Sequence, residues 1–330
     1  MSTRLKVKIL FHFNFIIFLL LFLPAPSLVT SRNISPPVFP PTTFPPEENN
    51  HRIQVMTPSG FKLLLEGRAF QPGEILLVQL EGIESIEQAW INGSGQKFYF
   101  FRKNSSPEIK GYAFLGLDGE LEPGEKSFEL VIQKGDKSWE VTKFNLYLEG
   151  REYRKRKLKV ASKYVEPPEE MRERIEREAE IMRVIFSMVT PDWLGDGPFI
   201  RPHSGPITAY FGDQRLYNNQ RLSFHSGVDL AASRGDEVVA ANSGQVALAS
   251  DFYFSGKIVI LDHGLGLFTT YHHLDRLTVR RGQRVKKGET IGLAGSSGLS
   301  TGPHLHWSAR IGQSRIDPLS LLGLSFPEKD

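Results

Sequence analysis

From Ile53 to about Val160, short apolar runs alternate with polar residues at a period of two, and turn residues break them at regular intervals. Phe61–Leu65, Ile75–Leu80, Lys97–Phe101, Ser127–Ile132 and Thr142–Leu148 each fit a strand with one buried face, and Gln71-Pro72-Gly73, Asn92–Gly95 and Glu122-Pro123-Gly124 supply the turns. About seven strands in about 100 residues suggest an immunoglobulin-like β-sandwich. The period then changes. After Pro167-Pro168, Met171, Ile175, Ala179, Met182, Ile185 and Val189 recur every three or four residues, which predicts a helix closed by Pro191 that packs one domain against the other. From Phe199 the strand pattern returns with many glycines. Arg234–Val246 and Arg281–Gly292 resemble each other in the placing of their glycines and valines, a hint of internal duplication in a compact antiparallel β domain.

The N-terminus follows another logic. Arg4, Lys6 and Lys8 precede an apolar run from Ile9 to Leu23 and the exit Pro24-Ala25-Pro26-Ser27, the order of an export signal. The run is short for a spanning helix and holds His12 and Asn14, so a cleaved signal and a membrane tether through residues 9–23 stay as alternatives. Either one puts the rest of the chain outside the cytoplasm, in the periplasm or cell envelope, secreted or anchored. The expected organisation is a signal or anchor over 1–31, a proline-rich linker over 32–50 and a β-sandwich accessory domain over 51–163. A helical linker over 164–198 and a catalytic β domain over 199–330 complete it.

Composition changes the picture in two places. The formal net charge is only +3 across 330 residues, which makes no case for nucleic acid. The basic run Arg151–Lys163 reads first as a solvated strand face, and otherwise as a patch for an anionic polymer or lipid. There is no cysteine, so any metal must be held by nitrogen and oxygen.

Candidate chemistry gathers at the C-terminal end, where seven of the nine histidines lie between His203 and His306. On a strand, His304 and His306 project from one face about 6.8 Å apart, with Leu305 opposite. His225 and Asp229 need a bend at Ser226-Gly227 to reach one ion, and His273 adds a further imidazole. Imidazole and carboxylate suit Zn²⁺, and three protein ligands with one open position make a catalytic rather than a structural site. His203, His263 and His272 read as satisfied bystanders. Arg215 fits either a substrate carboxylate or a structural ion pair.

Three phrases in order, His225-Ser226-Gly227-Val228-Asp229, Tyr271-His272-His273-Leu274 and Gly302-Pro303-His304-Leu305-His306, resemble those of lysostaphin/LytM-type zinc metallopeptidases. Phe211-Gly212-Asp213-Gln214-Arg215 resembles that family's entry segment, and the likeness runs from about Ile207 to Leu322. The one departure is His272, where the family carries an apolar residue; it is expected to face away from the site. The resemblance implies a LytM-like fold of duplicated hybrid motif with a zinc-binding groove. It implies one Zn²⁺ per chain on His225, Asp229 and His306, with His304 and His273 beside the attacking water and the scissile carbonyl. It also implies hydrolysis of peptidoglycan stem or cross-link peptides, with His304 as general base and His273 donating to the oxyanion. The alternative is a non-catalytic regulator or wall-binding protein on the same fold. A further expectation is self-inhibition, with the N-terminal module or the loop Tyr217–Leu222 covering the groove. Oligomeric state is left open.

Overall fold

The computed structural model describes residues 50–82, 86–102 and 110–326. The expected export signal lies outside the described residues, as does the proline-rich stretch up to its last residue. Among the described residues no helix is long and apolar enough to cross a membrane.

Nine strands build the N-terminal part: β1 (His51–Met56), β2 (Lys62–Gly67), β3 (Ile75–Glu81), β4 (Ile86–Gly93), β5 (Gln96–Tyr99), β6 (Phe101–Arg102), β7 (Lys110–Gly116), β8 (Gly124–Lys134) and β9 (Trp139–Leu148). They form two antiparallel sheets, ordered β1-β2-β3-β7-β6 and β5-β4-β8-β9. The period-two pattern is the cause. Leu63 and Leu65 of the first sheet and Leu130, Ile132 and Leu146 of the second are fully buried in one shared core, each contributing about 2 kcal/mol of transfer free energy.

The chain then leaves the sandwich earlier than the pattern suggests. Strand β10 (Lys155–Leu158) pairs in parallel with β12 (Gln214–Tyr217), which pairs with β13 (Arg221–Phe224). The last residues of the expected accessory segment thus belong to a sheet of the C-terminal domain. Their alternation separates the basic run: Lys155, Lys157 and Lys159 are exposed, whereas Arg156, Leu158 and Val160 turn inward.

Among the described residues, helix α1 (Arg172–Ser187) buries its apolar face against the C-terminal domain. Ile185 and Phe186 are buried against Phe252, Ile258, Ile260 and Phe268. The expectation that it sits between the two domains is therefore corrected. Its buried face also differs from the apolar stripe, since Ala179 is exposed while Glu178 is buried. Glu178 is tolerated there because Arg174 donates to it at 2.7 Å and the Tyr253 N–H at 2.7 Å.

The sandwich and the C-terminal domain are joined through a buried seam. Arg68 and Arg151 both donate to Asp317, at 2.9 and 2.6 Å, and both contact Glu74. Burial alone would raise the Asp317 carboxyl, but the two guanidinium groups hold it below the usual carboxylate range. Beside this network Phe114, Trp193, Phe199 and Phe326 pack ring against ring.

The central sheet of the C-terminal domain uses β11 (Ile207–Ala209), β14 (Gly227–Ala231), β16 (Gly244–Phe252), β17 (Gly256–Asp262), β18 (Leu267–Leu274), β20 (Arg284–Val285), β22 (His304–Ile311) and β23 (Ser314–Ile316). Its order is β11-β14-β22-β18-β17-β16-β20, with β23 on β22. A smaller sheet holds β15 (Glu237–Val239), β21 (Thr290–Leu293) and β19 (Arg276–Leu277). The two mutually similar segments pair crosswise: β15 with β21, and β16 with β20.

Candidate metal centre

Strand register assembles the site. In β22, Leu305 and Trp307 are fully buried, so alternation turns His304 and His306 to the other face. Antiparallel pairing sets Asp229 of β14 directly beside His306, and small Ala231 beside His304. His225 precedes β14 and comes back over Asp229 through Ser226-Gly227, the bend that the spacing requires. Gly227 is needed there for space, because a Cβ would lie 2.3 Å from the Trp307 carbonyl oxygen.

The result is a tight triad. His225 Nε2, Asp229 Oδ1 and His306 Nδ1 lie 2.8–2.9 Å apart. Among the described residues this is the one group of three or more metal-ligating side chains, and all three are buried. A tetrahedral zinc about 2.0–2.1 Å from each ligand needs its ligands about 3.3 Å apart, so the triad fits an ion after a shift of less than half an ångström. His225 Nδ1–H donates to the Tyr210 carbonyl oxygen at 2.7 Å, which leaves the Nε2 lone pair free to ligate. Burial pushes His306 down to about 4, against the pull of Asp229, so its ring is neutral and ready to ligate. Asp229 is held well below its ordinary range: burial opposes ionisation, but the imidazoles of His225 and His306 outweigh it.

Arg215 answers its own alternative. Its guanidinium donates to Asp229 Oδ2 at 2.5 Å, an ion pair that leaves Oδ1 facing the triad. The pairing links residues on different elements, and no spacing rule in the sequence signals it.

His304 and His273 stand beside the triad, their ring centroids 4.9 Å apart, with His304 Nε2 3.8 Å from Asp229 Oδ1. Each donates Nδ1–H to a backbone carbonyl at 2.8 Å, His304 to Gly302 and His273 to Ser297. Both therefore present an Nε2 lone pair. Burial pushes His273 down to about 3, with His304 and His306 adding to the shift.

The expectation for His272 is corrected. It pairs with His306 across β18 and β22, and its ring meets the His306 ring edge-to-face at 4.8 Å. Simple alternation would then turn His273 away. A bulge prevents this: Tyr271 faces Val259 and Leu274 faces Lys257, so two residues oppose one, and His273 takes φ 62°. A left-handed histidine in a strand leaves no mark in a hydrophobic pattern. The other two bystanders lie elsewhere: His203 faces Asp236 at 3.5 Å, and His263 is buried between Ser243 and Thr269.

This arrangement has counterparts in known proteins. The model of peptidase family M23 matches residues 223–318, a span holding the triad, His273 and His304. These residues form an M23 domain. A Pseudomonas aeruginosa crystal structure described as a candidate M23 peptidase superposes with a TM-score of 0.60 at 25% identity, over 78% of this chain and 96% of its own. The similarity thus extends beyond the M23 domain into the rest of the chain. The peptidoglycan DD-endopeptidase ShyA of Vibrio cholerae is 36% identical over 102 residues, which are 31% of this chain and 24% of ShyA. A Haemophilus influenzae protein described as an uncharacterized metalloprotease is 42% identical over 102 residues, 31% of this chain and 22% of its own length. The chain thus spans about a quarter of the length of the curated relatives that it matches.

Proposed function

We propose that the chain is an exported zinc metalloendopeptidase that hydrolyses peptide bonds in peptidoglycan stem or cross-link peptides. The observation that carries this is the triad of His225, Asp229 and His306 with two further imidazoles on its open side. The M23 match and the similarity to peptidoglycan endopeptidases support the substrate class. Nitrogen and oxygen ligands without sulfur, three in number, suit a catalytic Zn²⁺, one per chain. The same reading assigns the sandwich an accessory role and places the protein in the periplasm or cell envelope, secreted or anchored.

When bound, the zinc would supply a water acidified to about neutral pH and polarise the scissile carbonyl. The protein's own residues do the rest. Arg215 holds Oδ2 of Asp229, so that Oδ1 keeps its ligating direction. His304, with Nδ1–H anchored on Gly302, offers Nε2 to take the proton of the attacking water and return it to the leaving amine. His273 carries a condition. Its Nδ1–H is committed to Ser297 and burial opposes a second proton, so its Nε2 accepts in the resting state and would donate to an oxyanion only if the developing negative charge offsets that burial and draws a proton onto the ring. The bulge at φ 62° fixes that ring toward His304.

A non-catalytic regulator would not need a complete ligand set, and here the set is complete. The test is direct. The purified protein should bind one zinc per chain and release soluble fragments from isolated cell walls, and both properties should disappear in His306→Ala. Zinc binding without any wall hydrolysis would refute the enzymatic reading.

A further inference from the structure

A cavity of about 270 Å³ opens beside the triad, with Asp229 and His304 among its lining residues. Half of its fourteen lining residues precede residue 223, where the M23 match begins. One wall is the loop from Leu299 to Pro303. Another part of the lining comes from β10 and β12 of the three-stranded sheet, and β10, at an edge of that sheet, is donated by the segment that links the sandwich to the C-terminal domain.

Charge does not distinguish what this wall reads. Arg156 is committed to Asp213 at 3.0 Å and to the Thr208 carbonyl at 2.9 Å, and Arg215 to Asp229. Lys155, Lys157 and Lys159 point to the other face of the strand. What the linker offers to the cavity is apolar: Leu158, the last residue of β10, and Val160, two residues on and just past the end of the strand, both half-buried and about 6.8 Å apart where the chain runs extended. That is the repeat at which an extended peptide presents side chains to one side. The space is narrow, roughly the volume of nine water molecules. Asn218 locks the wall in place, donating to the Val160 carbonyl at 2.9 Å and accepting from its N–H at 3.0 Å.

We propose that Leu158 and Val160 are specificity-determining residues: they form the apolar wall of a subsite that accepts a small aliphatic side chain on an extended peptide substrate. This rests on the peptidase reading above, and it deepens that reading, because part of the substrate groove is built by the linker outside the M23 domain. A large side chain at that substrate position meets Leu158 before the scissile bond reaches His304.

The experiment uses the zinc-loaded full chain and two stem-type peptides that differ in one residue beside the scissile bond, alanine in one and leucine in the other. Leu158→Trp should raise KM for the alanine peptide at least tenfold with kcat within about twofold. Leu158→Ala should raise the ratio of kcat/KM for the leucine peptide over the alanine peptide at least tenfold, the range that a few methylenes command in a hydrophobic pocket. The opposite directions keep the test valid if the larger side chain impairs folding. Hydrolysis that continues with KM and that ratio unchanged would overturn the inference and leave the peptidase reading standing. If the wild type cleaves neither peptide, the peptidase reading fails, and fluorescence anisotropy of the labelled alanine peptide on chelator-treated protein decides the rest. Binding that Leu158→Trp abolishes would support the subsite, and no binding by the wild type would overturn it.

Discussion

Beneath the candidate metal centre runs a buried chain of hydrogen bonds with only one possible direction. The Ala241 N–H donates to the Tyr271 hydroxyl at 2.9 Å, so that hydroxyl must donate to Thr269 Oγ1, also at 2.9 Å. Thr269 in turn donates to His263 Nε2 at 2.7 Å, and His263 Nδ1–H donates to the Ser243 carbonyl at 2.7 Å. Protonating His263 would set two donors against each other at Nε2. Burial has the same effect and pushes His263 down to about 4 from 6.5. The sign follows from linkage. Between these values the unfolded chain binds a proton that the folded chain refuses, so stability falls as pH falls through that window. From pH 7 to pH 5 this one group should cost about 2 kcal/mol. His263→Gln keeps a donor for Ser243 and an acceptor for Thr269 but cannot titrate. Denaturant unfolding of both proteins at pH 7 and pH 5, with chelator present, should therefore show the wild type losing about 2 kcal/mol more than the variant. Equal losses would refute the assigned direction of the chain and the neutral state of His263.

Three further outcomes follow from the geometry. Asp317→Ala leaves Arg68 and Arg151 with Glu74 as the one remaining carboxylate they share at the seam and should destabilise the protein by about 3 kcal/mol in denaturant unfolding. The stability that the Asp317 carboxylate contributes is present above its unfolded value of 3.8 and lost as pH falls through its lower folded value. Gly227→Ala forces a Cβ against the Trp307 carbonyl and should weaken zinc affinity at least tenfold in a chelator competition, with helix α1 still folded by circular dichroism. His304→Ala should lower kcat by about 10²–10⁴ while zinc content stays at one per chain; full activity would remove His304 from its role as base.

Much of the site was legible in the sequence because strand geometry is local. An i, i+2 pair of histidines around a buried leucine has one placement on a strand, and His225-Ser226-Gly227-Val228-Asp229 carries its own bend. The sandwich strands were legible for the same reason: alternation reports a face. The rest depends on contacts that periodicity does not encode. His272 and His273 face the same side because a bulge adds a residue to β18, and the bulge rests on a non-glycine φ of 62°. Strand β10 finds its partner 59 residues along the chain, in a parallel pairing whose alternation of Lys and Arg looked like a solvated face. Glu178 interrupts the apolar stripe of α1 because a backbone N–H of another element satisfies it, and that donor is invisible from the helix sequence.

The most direct test of the account is mass spectrometry of muropeptides from isolated cell walls incubated with the zinc-loaded protein. Cross-linked species should decline, their products should differ by the addition of water across one peptide bond, and chelator or His306→Ala should prevent the change. An unaltered muropeptide profile from protein shown to carry one zinc per chain would contradict the account.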